Sequence, residues 1–271
     1  MLFNLDHKTS ALRSAVYLRL AFRRAKREKI KALGQRPIVI GGCGRSGTSL
    51  LLSILSSHPN IFAVGQETMA LCPDAFKGIE YVPRPDTTVP FQLWKLYREF
   101  RKTDIPEECQ RWCEKTPRNV IYFQKILEYY GERVRILNIV RDGRDVITSR
   151  HPLDPSRFWV PSDRWLTDVA AGKRLENHPQ VFTLRYEDLL DDFQETMQAI
   201  CDFLDEPMHE YLLAYPKFAK IQTNRAWFGE ARPITRASVA RWQKPEFAKT
   251  IEAFLSLPKA RLLLRHYRYL N

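Results

Sequence analysis

Apolar and polar positions alternate along this chain with two periods, and the order of the periods sets the architecture. Val134, Ile136, Leu137, Ile139 and Val140 form a near-continuous apolar run within residues 133–140, as a strand buried on both faces requires. Shorter β-branched or aromatic runs stand at Ile38-Val39-Ile40, Ile61-Phe62-Ala63-Val64 and Val181-Phe182-Thr183-Leu184-Arg185. Between them the spacing predicts helices over residues 48–57, 91–102, 120–130, 162–177 and 186–204, with two more near 245–256 and 258–269. The first of these ends at His58-Pro59, because proline disfavours helical geometry at the residue before it. Strands alternating with helices make the class α/β, with a mainly parallel central sheet flanked by helices.

The junction after the first run carries the clearest chemistry. Gly41-Gly42-Cys43-Gly44-Arg45-Ser46-Gly47-Thr48-Ser49 turns a strand into a helix through a glycine-rich loop. Glycines let such a loop wrap an anion, and free N–H groups at the helix start point toward it. Gly42 and Gly47 have the spacing of the loop that binds nucleoside triphosphates, but Thr48 stands where that loop needs lysine. The local cation is Arg45. The loop therefore suits an anion other than a nucleoside triphosphate.

Composition changes this picture little. Hydrophobic residues at 44% and aromatic residues at 12% are globular values, and 271 residues suffice for one α/β domain. Ten Lys/Arg against two Asp/Glu in residues 1–36 account for +8 of the net charge of +12. The remainder is only mildly basic, which argues against a specific nucleic-acid binder. Residues 8–33 read as one basic helix with a broad apolar face. It is expected to be a solvated leader packed on the domain, with weak contact to an anionic membrane surface as the sharper alternative. No apolar run is long enough to span a bilayer, and the N-terminus lacks a signal-peptide core. Five sparse cysteines suit a reducing, cytoplasmic compartment; Cys109 and Cys113 could share a helix face, although no second pair or histidine makes them a metal site.

Four further stretches place charge at element ends. Gly65-Gln66-Glu67-Thr68 follows the second run, where Glu67 is either a helix-start carboxylate or a group facing the loop. Lys115 in Glu114-Lys115-Thr116-Pro117 precedes a helix and is either a surface lysine or a partner for an anion. Arg141-Asp142-Gly143-Arg144-Asp145 closes the best strand, with Ser149 eight residues beyond Arg141. It fits an anion site or an Arg–Asp tie between strand and helix. Residues 234–242, with Arg236, Ser238 and Arg241, could close over a ligand. Residues 71–112, broken by five prolines, are expected to be an insertion covering the site, where specificity usually resides.

Taken in this order, the segments resemble the sulfotransferases that use 3′-phosphoadenylyl sulfate (PAPS), over residues 37–242. The resemblance implies a P-loop-like three-layer fold for a domain of residues 37–271 behind a basic extension of residues 1–36. It implies that Gly44, Arg45, Ser46, Gly47, Thr48 and Ser49 hold the 5′-phosphosulfate, that Arg141 and Ser149 hold the 3′-phosphate, and that Tyr186 of Tyr186-Glu187-Asp188-Leu189 lies near the adenine. Arg236 and Ser238 loosely echo the family's C-terminal donor-binding stretch.

The departures also inform. Leu50 replaces the tryptophan of the small-molecule branch, and Thr116-Pro117 follows Lys115 where that branch places its histidine base two residues after a lysine. Gly65-Gln66-Glu67-Thr68 resembles instead the Gly-Glu-Glu-Thr of protein-tyrosine sulfotransferases, which makes Glu67 the implied base and Lys115 the cation near the sulfuryl group. The implied reaction needs no metal and delivers sulfate to a hydroxyl of a carbohydrate, lipid, peptide or small molecule. A P-loop nucleotide-dependent kinase and a polyanion- or membrane-binding module are the rival readings.

Overall fold

The computed structural model describes residues 24–78, 80–151, 154–222 and 233–271. Five parallel strands form one sheet: β1 (Ile38–Gly42), β2 (Ile61–Ala63), β5 (Arg111–Lys115), β6 (Arg135–Val140) and β7 (Val181–Arg185), in the order β2-β5-β1-β6-β7. A two-stranded antiparallel hairpin, β3 (Phe76–Lys77) with β4 (Glu80–Tyr81), stands apart from it. The register runs Ile40↔Lys115 on one side of β1 and Ile40↔Leu137 on the other, so all five carboxyl ends share one edge.

Alternation along the strands fills two layers. Val39 and Ile136 point to one face, against Val120, Phe123 and Ile126. Ile38, Ile40, Leu137 and Ile139 point to the other, against Leu51, Leu52 and Leu55 of α2 (Thr48–Leu55) and Met197, Ile200 and Leu204 of α8 (Phe193–Leu204). Helices on both faces of a parallel sheet give the expected three layers. A third cluster around Trp165 of α6 (Ser162–Lys173) and Phe254 of α11 (Ala248–Leu255) packs α5 (Gly143–Ile147) and α12 (Pro258–His266) beside the end of β6.

Several expectations are corrected. The insertion expected over 71–112 does not reach 112, because Arg111 already opens β5, an interior strand between β2 and β1. That strand escapes the apolar pattern because three of its five residues are charged and each charge is compensated in the fold: Arg111 by Glu206 at 3.2 Å and Lys115 by Glu67 at 2.5 Å, while Glu114 accepts hydrogen bonds. Cys113 therefore lies on a strand and shares no helix face with Cys109; all five cysteines are free and buried.

Residues 117–130 divide into a 3₁₀ segment (Pro117–Tyr122) and α4 (Phe123–Tyr130), since proline starts a tight turn. The helix expected over 186–204 is likewise two, α7 (Tyr186–Asp191) and α8. Of the basic leader, residues 24–33 are helical (α1) and residues 8–23 lie outside the described residues.

Candidate active site

Each strand of the sheet delivers one sequence-expected residue at or just beyond its carboxyl end: Arg45 after β1, Glu67 after β2, Lys115 on β5, Arg141 after β6 and Tyr186 after β7. Ligands gather at this edge in parallel sheets, where chain reversals leave a crevice.

The loop after β1 is shaped by its glycines. Gly47 adopts φ +95 at the start of α2, where a Cβ would fall 2.4 Å from the Tyr186 ring, and at Gly42, φ +146, a Cβ would fall 2.3 Å from the Ile139 carbonyl oxygen. No side chain caps α2, so its first N–H groups face the loop's concavity. The Ser46 Oγ is buried without a hydrogen-bond partner among the described residues.

Guanidinium groups converge beside this loop. Arg141 donates to the Arg45 carbonyl at 3.1 Å and lies over the Tyr186 ring at 4.4 Å. Arg241 reaches Ser149 Oγ at 3.4 Å. Burial, followed by repulsion from Arg141 and then Arg241, pushes Arg45 down to about 10. Burial and then Arg141 likewise lower Arg241. Cations crowded this way raise each other's cost and suit a polyanion. The Nε atoms of Arg141 and Arg241 are also buried without a hydrogen-bond partner among the described residues. These orphaned donors fit a phosphate-bearing ligand.

The Arg–Asp alternative at the end of β6 resolves into a division of labour. Asp142 caps α5 and binds Arg144, with contacts down to 2.7 Å, while Trp242 stacks on Arg144 at 4.0 Å. Arg144 is the structural tie. Arg141 stands 3.8 Å from Asp145, a looser pairing, and its terminal nitrogens donate to the Arg45 and Ser238 carbonyls. Asp145 instead accepts the backbone N–H groups of Ala240 at 2.8 Å and Trp242 at 3.1 Å, and Ala240 turns the chain at φ +59. This staples residues 236–242 over the site. Ser238 then meets the Tyr186 hydroxyl at 2.9 Å, and its carbonyl accepts from Arg141.

Ser149 lies just past α5, donating to the Asp145 carbonyl at 2.8 Å. Arg236 goes elsewhere, ion-paired with Asp191 on the surface. Arg241, read in the sequence only as part of a closing segment, is the third cation of the cluster.

A second group sits between β1, β2 and β5. Lys115, 1% exposed, donates to Glu67 Oε1 at 2.5 Å and to Ser49 Oγ at 3.0 Å, linking the phosphate loop to the carboxylate. Glu67 keeps a third of its side chain exposed. Behind it Glu114, fully buried, accepts from Thr68 Oγ1 at 2.9 Å, Thr116 Oγ1 at 2.7 Å and Asn119 Nδ2 at 2.8 Å. Burial raises its pKa while these donors oppose the shift. Sequence reading missed Glu114, whose role depends on Thr68, 46 positions away.

A buried ion triad lies near Gly44: Asp168 sits 3.3 Å from Arg118 and 3.5 Å from Arg164, whose guanidinium reaches within 3.1 Å of where a Gly44 Cβ would be. His58, by contrast, is structural: its ring bonds the Pro207 carbonyl and the Asn60 N–H.

The chain is thus an α/β protein whose parallel sheet presents a phosphate-type loop, a three-arginine cluster and a carboxylate–lysine pair along one edge. It belongs to the sulfotransferase family: the family model matches residues 37–210. An uncharacterized protein of Aquifex aeolicus is 24% identical over 251 residues, 81% of this chain and 32% of that protein. A protein-tyrosine sulfotransferase of Drosophila melanogaster is 22% identical over 233 residues, 76% of this chain and 46% of its own. This chain therefore spans between about a third and under half of the length of these curated relatives. A solved sulfotransferase from Alicyclobacillus acidocaldarius shares the fold at TM-score 0.54 and 18% identity, covering 85% of this chain and 95% of its own. Among the described residues no helix is long and apolar enough to cross a membrane, and no cluster of three or more metal-ligating side chains occurs.

Proposed function

We propose that this chain transfers a sulfuryl group from PAPS to a hydroxyl acceptor. The observation that carries this reading is the spatial separation of two cationic features. Arg141, Ser149 and Arg241 cluster on the β6 side of the phosphate loop, whereas Lys115 and Glu67 flank it on the β5 side. A donor with a 3′-phosphate and a 5′-phosphosulfate needs two such sites; a nucleoside triphosphate needs a single track with the missing lysine.

In this reading Ser46, Thr48 and Ser49 with the uncapped start of α2 bind the phosphosulfate. Arg141, Ser149 and Arg241 bind the 3′-phosphate, and Tyr186 with Ser238 borders the adenosine. PAPS supplies the sulfuryl group. Glu67 holds the acceptor hydroxyl and takes its proton as the oxygen bonds to sulfur. The bond from sulfur to the bridging phosphate oxygen breaks, its electron pair stays on that oxygen, and adenosine 3′,5′-bisphosphate is the product. Arg45 and Lys115 neutralise the charge that grows there. Lys115 also holds Glu67 in place by donating to its Oε1.

Residues 37–271 are proposed as the catalytic domain, with residues 71–90, which include the β3–β4 hairpin whose Tyr81 ring meets Arg118 and Arg164, on the acceptor side and residues 1–36 as an extension. The acceptor class remains any hydroxyl that reaches Glu67, whether of a carbohydrate, lipid, peptide or small molecule. Five free cysteines, all buried, support a reducing compartment. The test is thermal stabilisation by ligands. Adenosine 3′,5′-bisphosphate at 100 times its dissociation constant should add about 2.7 kcal/mol of stability. Stabilisation by Mg·ATP with none by the bisphosphate would instead favour a kinase.

A further inference from the structure

The amino-terminal side of the sheet carries a surface unrelated to the site above. A groove of about 890 Å³ opens between α1, α3 (Leu93–Lys102) and the end of α4, near the start of β5. Its floor is apolar, with Leu96, Phe100 and Trp112 buried beneath it. Its rim holds five cations, Lys26, Arg27, Lys31, Arg101 and Arg133, and no carboxylate. Beside it three large aromatic side chains face solvent: Trp94 at 60%, Tyr97 at 48% and Tyr129 at 52% exposure.

Two features tell what this face fits. The cations are spread along helix flanks rather than converging on a point as Arg45, Arg141 and Arg241 do. Rim cation Arg133 lies over the Tyr130 ring at 6.0 Å, and next to the rim Lys95 and Arg98, the latter also paired with Glu99, lie over Trp94 at 5.9 and 5.6 Å. Amphipathic rings bordered by Lys and Arg, with no acid among the groove's lining residues, are the composition of a helix face lying at a lipid headgroup boundary. The face is also built: Lys26 Nζ clamps α1 to α3 through the Arg101 and Thr103 carbonyls at 3.0 Å each, and Lys29 Nζ bonds the Glu107 carbonyl. The sequence upstream continues in the same sign, with Lys8, Arg13, Arg19 and Arg23 against Asp6.

We propose that this face docks the protein on an anionic phospholipid surface, with Trp94, Tyr97 and Tyr129 entering the headgroup layer and the α1 and α3 cations meeting lipid phosphates. The proposal is independent of the sulfuryl-transfer reading. Its test is sedimentation of the full chain with vesicles of phosphatidylcholine alone or mixed with phosphatidylglycerol. Binding should appear only with the mixed vesicles and fall as salt is raised. Each surface cation contributes roughly a fivefold change in partition, so the exposed double variant Arg27→Glu/Lys31→Glu should partition at least tenfold less.

As a second readout, a blue shift of tryptophan fluorescence on vesicle addition should vanish in Trp94→Phe. Absence of binding by the native chain, or equal binding by the double variant, overturns the proposal. So does capture by heparin or single-stranded nucleic acid with none by the vesicles.

Discussion

Glu67 and Lys115 are the residues whose roles can be separated most cleanly. Glu67→Gln keeps the shape and the hydrogen bond from Lys115 but removes the proposed base. Turnover should fall by roughly 10²-fold or more, while calorimetry should find bisphosphate affinity close to that of the native chain. Glu114 does not reach solvent, so any effect of changing it must pass through its neighbours. Its three side-chain donors tie the loop that carries Glu67 to β5 and, through Asn119 Nδ2 on the Ile40 carbonyl at 3.1 Å, to β1. Glu114→Gln turns one acceptor oxygen into a donor facing donors. We expect kcat to drop roughly tenfold, with donor KM nearly unchanged, because a small misplacement of a catalytic group is costly. A rise in donor KM alone would contradict this positioning role.

Among the elements, the segment 236–242 depends on one carboxylate. Asp145 holds it through the Ala240 and Trp242 N–H groups, and burial pushes the Asp145 pKa up. Asp145→Ala should free Ser238 and Arg241 from the site and weaken bisphosphate binding by at least tenfold, the loss expected of charge-assisted hydrogen bonds worth about 1.5–3 kcal/mol. An unchanged affinity would show that the segment contributes nothing to the donor site.

The elements also mark where sequence reading succeeds and fails. β1 with its glycine loop and β6 with its apolar run were legible because their burial is written in local residues. β5 was not, because Arg111, Glu114 and Lys115 are buried by virtue of Glu206, Thr68 and Glu67, partners that only the folded chain supplies. Arg241 was hidden for a related reason. Its place beside Ser149 follows from a left-handed turn at Ala240 and from Asp145, while Arg236, nearer the family pattern, turns outward to Asp191.

For the molecule as a whole, two buried ion clusters brace the sheet. Arg111 and Glu206, at 1% and 3% side-chain exposure, join β5 to the end of α8, and Asp168 bridges Arg118 and Arg164 beside the phosphate loop. Removing one partner leaves the other charge buried and unpaired, so Arg111→Met should cost about 3–5 kcal/mol in urea unfolding. A loss under 1 kcal/mol would mean that water reaches Glu206.

In the proposed reading one edge of the sheet carries both anion sites and the base, with Arg45 neutralising the charge that grows as the sulfuryl group leaves. The most direct test is transfer of label from [³⁵S]PAPS into a pool of hydroxyl-bearing acceptors from a cell extract. The native chain should yield a labelled product and stoichiometric adenosine 3′,5′-bisphosphate, with Arg45→Ala slower by about 10²–10³-fold. No labelled product from PAPS, together with phosphoryl transfer from Mg·ATP by the same preparation, would contradict the account.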